Sequence, residues 1–537
     1  MKKKNNIVIN RILIINSVYF IVIFALIIRL YFLQVYPSLI VGGEVENYQA
    51  ENLSQMNYRI FDTNGKDLMT YDKQYILVLD TKPFMLNNYE ETLEDLMALN
   101  FIMKTENPDF NYSEVMQEEG KIYYTISEET YNKINKLKNV KGIYTYIYDE
   151  VDKKEAWKTN NFLSNIKDEN VIEDSLEYTL NSYLKENTYP AAKFYLNDKS
   201  IYSDGEVSTS NNNNIKLTIN SEWENQIRDI LNKKEYSFLN NIGVVVSEAE
   251  TGKIRAMIQK DESQANINLG IEQLGYEPGS IFKVITEVIA LDEGLITPTD
   301  MLICTGEICM KDGKPYAHGM LSVEDALKVS CNDIFAKIGG EIGYDDMMDY
   351  LNKMGLFKPI INLKGENRNE ASGVKPTLEN SMNNISIGQT IMVTPVQMAG
   401  LYNTVVNDGV FVRPTIVEAI VDENDNLVKE FKESENRIFS ETSAKLTQET
   451  MSKVIWEGSG FEAKVDGVNI GGKTGTSTGT GGINHGWFAG FFELDGEKYT
   501  IVVISPNIGE KHPDGRELGG GNTGAPIFRE IVTELTK

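Results

Sequence analysis

Positive charge is scarce in this chain: 52 lysine and arginine residues stand against 78 aspartate and glutamate residues, giving a formal net charge of -26. Such an excess of negative charge repels nucleic acid and anionic membrane surfaces, so binding to either is excluded as the main activity. The hydrophobic content of 41% argues against disorder, and 537 residues allow two or three domains with real cores. We therefore expect an acidic body of several folded domains.

Cysteine is also scarce, with only Cys304, Cys309 and Cys331. Cys304 and Cys309, in the loop-like run CTGEIC, could close a small disulfide outside the cytoplasm and would leave Cys331 unpaired. An odd, sparse set of cysteines is more often incidental. A zinc site from Cys304, Cys309 and His318 is disfavoured still more, because four ligands at a recognisable spacing are missing. The sequence thus predicts no metal site and leaves the disulfide open.

The first part of the chain predicts a membrane anchor. Lys2, Lys3, Lys4 and Arg11 lie in the segment 1–11, and the run that follows, 12–35, has Arg29 as its single charged residue and is long enough to span a bilayer. The positive-inside rule makes 1–11 a cytoplasmic tail and places everything after the anchor outside the cytoplasm. A cleaved signal peptide is the alternative, but its small-residue cleavage site is not evident. We expect a permanent single-pass anchor and an extracytoplasmic body.

The rest of the chain divides at a polar run, STSNNNN, at 208–214. Such a run cannot bury a core and is interpreted as a linker. Before it, 36–214 mixes strand-like runs, such as 75–79 and 143–148, with helix-like runs, such as 128–137, and has no catalytic-looking cluster, which predicts a non-catalytic pedestal domain. After it, the segment 215–537 has a mostly helical middle with strands predicted before and after it. The predicted strands are 242–247, 253–258, 486–494 and 499–505. A final helix is expected to start at Pro526.

Strands at both ends of a domain with helices between them indicate one sheet packed against helices, an α+β fold. The central helix is predicted in the stretch 276–294, YEPGSIFKVITEVIALDEG. The turn Pro278-Gly279 puts Ser280 at the helix N-terminus, and an i to i+3 spacing puts Lys283 on the same face. A lysine with a lowered pKa can take the proton of a serine nucleophile. The alternative is an N-cap serine followed by a solvated lysine.

A second cluster, Ser330-Cys331-Asn332, lies at the end of the helical run SVEDALKVS. A serine and an amide two residues apart on a loop could relay a proton and bind a substrate carbonyl. The alternative is an ordinary loop at a helix end.

The third cluster is GGKTGTSTGTGG at 471–482. With the preceding residues it fits the phosphate-loop pattern G-x-x-x-x-G-K-[ST], but that pattern needs a helix to begin at the lysine, and the glycines and threonines here disfavour one. The preferred interpretation is an exposed edge strand over 473–476. In it Gly475 lets a substrate backbone approach, Lys473 supplies charge, and the hydroxyl groups of Thr474 and Thr476 hold a carboxylate.

In this order, S-x-x-K, S-x-N and K-T-G form the set typical of penicillin-binding proteins and class A β-lactamases. The chain resembles a class B penicillin-binding protein, a membrane-anchored DD-transpeptidase that cross-links peptidoglycan. The resemblance covers most of 216–537, including SIGQTIMVTPVQMA, HGWFAGF and GGGNTGAPIF, and extends more faintly to IFDTNG at 60–65. Asn57 and Tyr58 stand where the family usually has Arg-Gly, and 141–214 fits the family's pedestal poorly.

The resemblance implies a penicillin-binding fold and assigns roles to the residues that match its motifs. Ser280 would attack the penultimate D-alanine carbonyl of a stem peptide, Lys283 would accept its proton, and Ser330 would pass a proton to the leaving amine. The N–H groups of Ser280 and Thr476 would form the oxyanion hole. Asn332 would bind the donor amide, and Lys473, Thr474, Gly475 and Thr476 would bind the terminal carboxylate. No metal or cofactor is implied; β-lactams would acylate Ser280, and a glycosyltransferase is the expected partner.

Two rival functions remain. A β-lactamase or β-lactam sensor would share the three motifs, but no E-x-x-L-N-type segment that could activate water follows Ser330. A non-enzymatic scaffold of a cell-wall synthesis complex would have no need of the intact serine, lysine and asparagine residues. The pattern does not distinguish a role in elongation, division or sporulation.

Overall fold

The computed structural model describes residues 15–29, 31, 48–87, 90–155, 158–164, 166, 172–208, 211–271, 275–311, 314–363, 375–378, 380–479, 482–509 and 511–537. The chain forms two compact units that alternate along the sequence. The first unit comprises 1–55, 73–150 and 189–209, and the second comprises 56–72, 151–188 and 210–537. This division differs from a single boundary at 214, because 56–72, 151–188 and 210–214 also belong to the second unit.

The first unit contains two three-stranded sheets and short helices. A core of twelve buried residues, among them Leu77, Phe84 and Leu99, lies between one sheet and its helices. The strand-like and helix-like runs expected here are confirmed near 75–79, 143–148 and 128–137. Its strands are Tyr48–Asn52, Tyr71–Asp80, Lys121–Ile126, Ile143–Val151, Ala191–Tyr195 and Glu206–Ser208, and its helices are Thr81–Phe84, Leu93–Glu106, Tyr112–Val115 and Glu128–Ile134.

The second unit is built around a five-stranded antiparallel sheet. In spatial order its strands are Ile254–Gln259, Gly243–Glu248, Glu497–Ile508, Asn484–Leu494 and Ile470–Thr478. These confirm the four predicted strands, and they join the beginning and end of the domain as expected. The strands are apolar along almost their whole length because helices cover both faces of the sheet.

Helices of the second unit supply most of its remaining core. They are Thr159–Leu163, Leu176–Leu184, Ser221–Leu231, Asn268–Ile271, Lys283–Asp292, Val323–Lys328, Asn332–Ile342, Tyr344–Lys353, Met382–Ile385, Pro395–Val406, Glu441–Glu457 and Gly520–Leu535, with 3-10 turns at Lys234–Tyr236, Gly279–Phe282 and Phe461–Ala463. Short strands outside the main sheet are Ile60–Phe61, Asn214–Leu217, Met301–Cys304, Met310–Lys311, Lys314–Pro315, Gly319–Ser322, Val410–Val412, Val417–Val421, Leu427–Glu430 and Glu435–Arg437. The predicted α+β fold is confirmed.

The last helix starts earlier than predicted. It runs from Gly520 to Leu535, so Pro526 lies inside it rather than at its first position. Glycine opens this helix because the start packs directly on the sheet. A Cβ atom at Gly520 would lie 1.9 Å from the Trp487 carbonyl oxygen and 2.3 Å from that of Gly475.

The polar run at 208–214 is not a solvated linker throughout. Asn212 and Asn214 are only 6% and 1% exposed, and Asn214 begins a strand. Backbone groups satisfy their amides: Asn212 exchanges hydrogen bonds with Thr188, and the Asn214 side chain accepts from the Arg59 N–H. Asparagine can therefore be buried here, because its polar atoms take the place of missing main-chain partners.

The predicted anchor at 12–35 lies partly outside the described residues. Residues 15–29 form a helix whose side chains are exposed. Within the described part of the chain, we find no helix with the length and apolarity that crossing a membrane requires.

Candidate active site

Ser280 lies in the 3-10 turn Gly279–Phe282, which leads directly into the helix Lys283–Asp292. Gly279 has a φ of +57° in the left-handed region, and a Cβ atom there would lie 2.6 Å from the Thr476 carbonyl oxygen. Glycine is required on both counts. The apolar residues expected to bury the helix, including Val284, Ile285 and Val288, are fully buried.

The stretch SIGQT at 386–390 holds this turn from behind. The Gly388 carbonyl oxygen accepts from the Gly279 N–H at 2.9 Å, and the Tyr402 hydroxyl donates to the Ile281 carbonyl oxygen at 2.8 Å. A Cβ atom at Gly388 would lie 2.1 Å from the Gly279 carbonyl oxygen. These contacts fix the backbone on both sides of Ser280, and sequence reasoning noted the stretch without assigning it this role.

The strand Ile470–Thr478 forms the edge of the main sheet beside the Ser280 turn, as predicted. A Cβ atom at Gly475 would lie 2.9 Å from the Pro278 carbonyl oxygen and 3.1 Å from the Ile281 N–H nitrogen. Glycine is thus needed here because the Ser280 turn itself packs against the strand. Thr476 is exposed on this strand, where a ligand can reach it.

Lys283 extends from its helix to the loop Ser330-Cys331-Asn332. Its Nζ donates to the Ser330 carbonyl oxygen at 2.8 Å, the Ser330 Oγ at 3.2 Å and the Asn332 Oδ1 at 2.6 Å. Ser330 has a φ of +58°, a left-handed conformation uncommon for serine. All three acceptors are uncharged oxygen atoms, so they orient the ammonium group without neutralising it.

Lys473 reaches the same hydroxyl from the opposite direction. Its Nζ donates to the Ser330 Oγ at 2.9 Å and to the Thr474 carbonyl oxygen at 2.9 Å. Ser330 therefore bridges two lysines that are 190 positions apart in the sequence, and both lysines are fully buried. The structure brings together the three motifs that were singled out separately.

Burial makes these lysines unusual acids. It lowers the pKa of Lys283 to about 7, because the charged form loses its hydration. Burial also lowers the pKa of Lys473 well below its usual value, and the positive charge of Lys283 lowers it further. The ammonium groups of Lys283 and Lys473 both contact the Ser330 hydroxyl and repel each other, so one of the two lysines loses a proton easily. A neutral lysine of this kind can act as a base.

Glu287 lies one helical turn beyond Lys283 and is fully buried. Burial raises the pKa of its carboxyl group to about 8, so it is mostly neutral at pH 7 and does not supply a counter-charge for Lys283.

Two residues near the site were not found by sequence reasoning. The Ser459 Oγ lies 3.2 Å from the Thr474 Oγ1 and orients it from the neighbouring helix end. The Glu277 carbonyl oxygen accepts from the Ser477 Oγ at 2.6 Å and the Trp487 Nε1 at 3.0 Å, which ties the Ser280 turn to the edge strand. Serine and glutamate at these positions carry no local signal, because their partners are distant in sequence.

The cysteines do not form the disulfide that the sequence left open. All three are free and buried, and the sulfur atoms of Cys304 and Cys309 are 3.7 Å apart. A disulfide has an S–S distance of about 2.0 Å. Cys331 forms no disulfide either, as expected, and its sulfur lies 3.6 Å from that of Cys309.

Residues 242–533 match the family "Penicillin binding protein transpeptidase domain". This match covers more than half of the chain and includes every residue of the site described above. The chain belongs to the penicillin-binding protein transpeptidase family. The resemblance drawn from the three motifs is confirmed.

Curated relatives of the chain are class B proteins of this family. It is 27% identical to the penicillin-binding protein PbpB of Mycolicibacterium smegmatis over 60% of this chain and 54% of that protein. It is 28% identical to the stage V sporulation protein D of Bacillus subtilis over 48% of this chain and 42% of that protein. The chain thus spans about half the length of these curated relatives.

Solved structures show the same fold. A peptidoglycan synthetase from Bifidobacterium adolescentis superposes with a TM-score of 0.62 at 17% identity, covering 91% of this chain and 96% of that one. Penicillin-binding protein 3 from Mycobacterium tuberculosis, in complex with aztreonam, superposes with a TM-score of 0.58 at 19% identity, covering 91% and 96%.

Proposed function

We propose that the protein is a serine-type peptidoglycan DD-transpeptidase that works through a Ser280 acyl-enzyme. The observation that carries this proposal is the convergence of Lys283 and Lys473 on the Ser330 hydroxyl, beside a Ser280 turn packed on the edge strand. That arrangement supplies a base with a lowered pKa and a proton relay, beside the turn that carries the nucleophile. Relatives named D,D-transpeptidases, such as FtsI of Buchnera aphidicola, support the reaction class.

The acyl transfer begins with attack of the Ser280 Oγ on the penultimate D-alanine carbonyl carbon of a stem peptide. Neutral Lys283 takes the hydroxyl proton as the C–O bond forms. The N–H groups of Ser280 and Thr476 stabilise the oxyanion. Ser330, held by both lysines, passes a proton to the leaving amine, and the terminal D-alanine departs. An amine of a neighbouring stem peptide then attacks the ester, releases Ser280 and completes the cross-link.

Substrate binding is assigned to the edge strand and the loop. Lys473, Thr474 and Thr476 hold the terminal carboxylate, and the Asn332 amide binds the donor peptide. A β-lactam presents a carboxylate and a strained amide in a similar arrangement and acylates Ser280. The aztreonam complex of the structurally similar penicillin-binding protein 3 supports this assignment.

We further propose that the apolar run at 12–35 is a single-pass anchor, with 1–11 in the cytoplasm and the catalytic unit outside. The basic residues before the run and the exposed apolar side chains of 15–29 support this proposal. The non-catalytic unit then serves as a pedestal, and a glycosyltransferase that makes the glycan strands is the partner. Cysteine-scanning accessibility on both sides of the run tests the topology: a residue at 1–11 labelled from outside the cell would contradict it.

A fluorescent penicillin tests the reaction. The full chain should be labelled covalently, and Ser280→Ala should abolish labelling, whereas the exposed-site control Ser237→Ala should not. A label that stays bound for many minutes supports the transpeptidase. Rapid loss of the label would indicate a β-lactamase instead, and an unlabelled but folded protein would indicate a scaffold.

A further inference from the structure

Four side chains that could bind a metal meet behind the Ser330 loop. They are Cys304, Cys309, His318 and Cys331, and their ligand atoms all lie within 4.8 Å of one another. The sulfur atoms of Cys304 and Cys309 are 3.7 Å apart, those of Cys309 and Cys331 are 3.6 Å apart, and the Cys304 sulfur lies 3.4 Å from the His318 Nδ1.

These distances match a tetrahedral zinc site. With Zn–S bonds of about 2.3 Å and Zn–N bonds of about 2.0–2.1 Å, sulfur ligands lie about 3.8 Å apart and sulfur and nitrogen ligands about 3.5–3.6 Å apart. A disulfide would bring one pair to about 2.0 Å and push the third sulfur away. These three separations, with all four ligand atoms within 4.8 Å of one another, therefore fit four ligands around one ion better than a bond between any two.

The fold delivers the four ligands from three places. Cys304 ends the strand Met301–Cys304, which pairs with Gly319–Ser322 so that Cys304 lies opposite Gly319, next to His318. Cys309 follows four residues of loop, and Cys331 precedes the helix Asn332–Ile342. This spread explains why spacing along the sequence gave no recognisable pattern: Cys331 belongs to the catalytic loop.

The surroundings are suited to thiolates. The three cysteines are at most 4% exposed, so a metal here would be shielded from water. The Asp333 N–H donates to the Cys309 sulfur at 3.4 Å. The Asp333 carboxylate in turn accepts from the Thr305 Oγ1 at 3.0 Å and binds the ammonium group of Lys337 at 3.2 Å, which ties the cysteine loop to the helix. Such outer contacts orient metal ligands.

We propose that Cys304, Cys309, His318 and Cys331 bind one structural Zn²⁺ that fixes the loop carrying Ser330 and Asn332. Three thiolates and one imidazole are soft ligands that favour Zn²⁺ over Mg²⁺ or Ca²⁺, and four protein ligands leave no open position for a catalytic water. Binding releases the thiol protons. Cys331 is flanked by the two residues whose oxygen atoms hold Lys283, so the metal stabilises the position of the proton relay. This last consequence rests on the proposed function; the metal site does not.

The first test measures metal on the full chain, purified without chelator. We expect about one zinc ion per chain by elemental analysis, and cobalt substitution should give the visible and near-ultraviolet bands of a tetrahedral cobalt–thiolate site. After denaturation with a chelator, three thiols per chain should react. Chain without bound metal that also fails to take up added zinc would overturn the proposal, and so would a Cys304–Cys309 disulfide with a single reactive thiol.

Variants of the histidine separate loss of metal from loss of fold. His318→Ala should weaken zinc binding more than about 100-fold, beyond the loss expected from disturbing an outer contact alone. The matched control His512→Ala, in the same unit but remote in sequence, should bind zinc normally. His318→Cys should restore binding and shift the cobalt bands towards those of a four-thiolate site. Equal zinc affinity of His318→Ala and the wild type would contradict the assignment.

The link to catalysis has its own readout. Chelation should lower both the thermal midpoint and the rate of labelling by fluorescent penicillin, and added zinc, but not magnesium, should restore both. If labelling fails in every sample while zinc remains bound, the proposed function is wrong and the metal site stands. If zinc is removed and labelling persists at the same rate, the proposed effect on the loop is wrong.

Discussion

The loop Ser330-Cys331-Asn332 takes part in two buried polar clusters, which differ in how strongly their titratable groups hold protons. Ser330 and Asn332 contact two buried lysines, whereas Cys331 between them joins two further cysteines and His318. Among the lysines, burial and like charge lower the pKa and leave a proton mobile. Among the thiols, a metal ion removes the protons and fixes the geometry. The lysine cluster, which must gain and lose a proton, is thus held in position by the rigid cysteine and histidine cluster next to it.

If the two clusters have these separate roles, a change in the lysine cluster should disturb acylation and leave the metal in place. The largest such effect is expected for Lys283→Arg. A guanidinium group stays protonated and cannot act as the base, so acylation by fluorescent penicillin should fall about 10²–10⁴-fold. Zinc content should remain at the wild-type level.

The control for this variant is Lys353→Arg, at an exposed position of the helix Tyr344–Lys353, where the lysine pairs with Asp349 on the surface. It should label at the wild-type rate. Normal acylation by Lys283→Arg would show that another group takes the Ser280 proton.

A smaller effect is expected when the Ser280 turn is moved without changing any titratable group. In Gly475→Ala the new Cβ atom meets the Pro278 carbonyl oxygen at 2.9 Å. The turn must shift, and a displacement of about 1 Å from reactive geometry can cost about 100-fold in rate. Labelling kinetics measure the loss, and elemental analysis should show unchanged zinc.

Gly340→Ala is the matched control, because Gly340 lies in a helix and a Cβ atom there has no neighbour within 4 Å. It should leave the acylation rate unchanged and slightly raise thermal stability. Equal acylation rates in the two variants would mean that the close packing of Gly475 does not position the nucleophile.

The pH dependence sharpens the contrast in proton behaviour. Burial lowers the pKa of Lys283 to about 7, so its neutral form is about half of the total at pH 7 and about a tenth at pH 6. The acylation rate should therefore fall about fivefold between pH 7 and pH 6, while it should rise by at most about twofold above pH 7. Stopped-flow acylation over this range measures the profile.

The same shift has a consequence for stability. Because the folded state holds the Lys283 proton more weakly than the unfolded state, its contribution to the free energy of unfolding should rise with pH from about 7 to the ordinary lysine range.

Acylation that is independent of pH between 6 and 8 would contradict a neutral lysine base.

The smallest effect is expected for Ser459→Ala. The Ser459 Oγ lies 3.2 Å from the Thr474 Oγ1, and a net hydrogen bond contributes about 1 kcal/mol, which corresponds to about fivefold in binding. The variant should weaken β-lactam binding by a few-fold without changing the maximal rate. An unchanged binding constant would show that Thr474 is oriented without this serine.

Much of the second unit was predictable from the sequence. Short, nearly continuous apolar runs predicted the strands at 242–247 and 499–505, and the apolar spacing after Ser280 predicted its buried helix. The start of the last helix was missed because the proline signal is local, whereas the true start depends on glycines packed against Trp487. The buried asparagines near 214 were missed for the same reason, since their partners lie elsewhere in the chain.

What the sequence determined by itself was the set of three motifs, their order and the type of element that carries each. Only the tertiary structure decided that Lys283 and Lys473 share one hydroxyl, that Gly475 is needed for the Ser280 turn, and that Cys331 meets Cys304, Cys309 and His318. The physical reason is the distance along the sequence over which the interactions act. Local spacing controls helices, strands and turns, but the lowered pKa of a lysine and the convergence of four metal ligands depend on groups that only folding brings together.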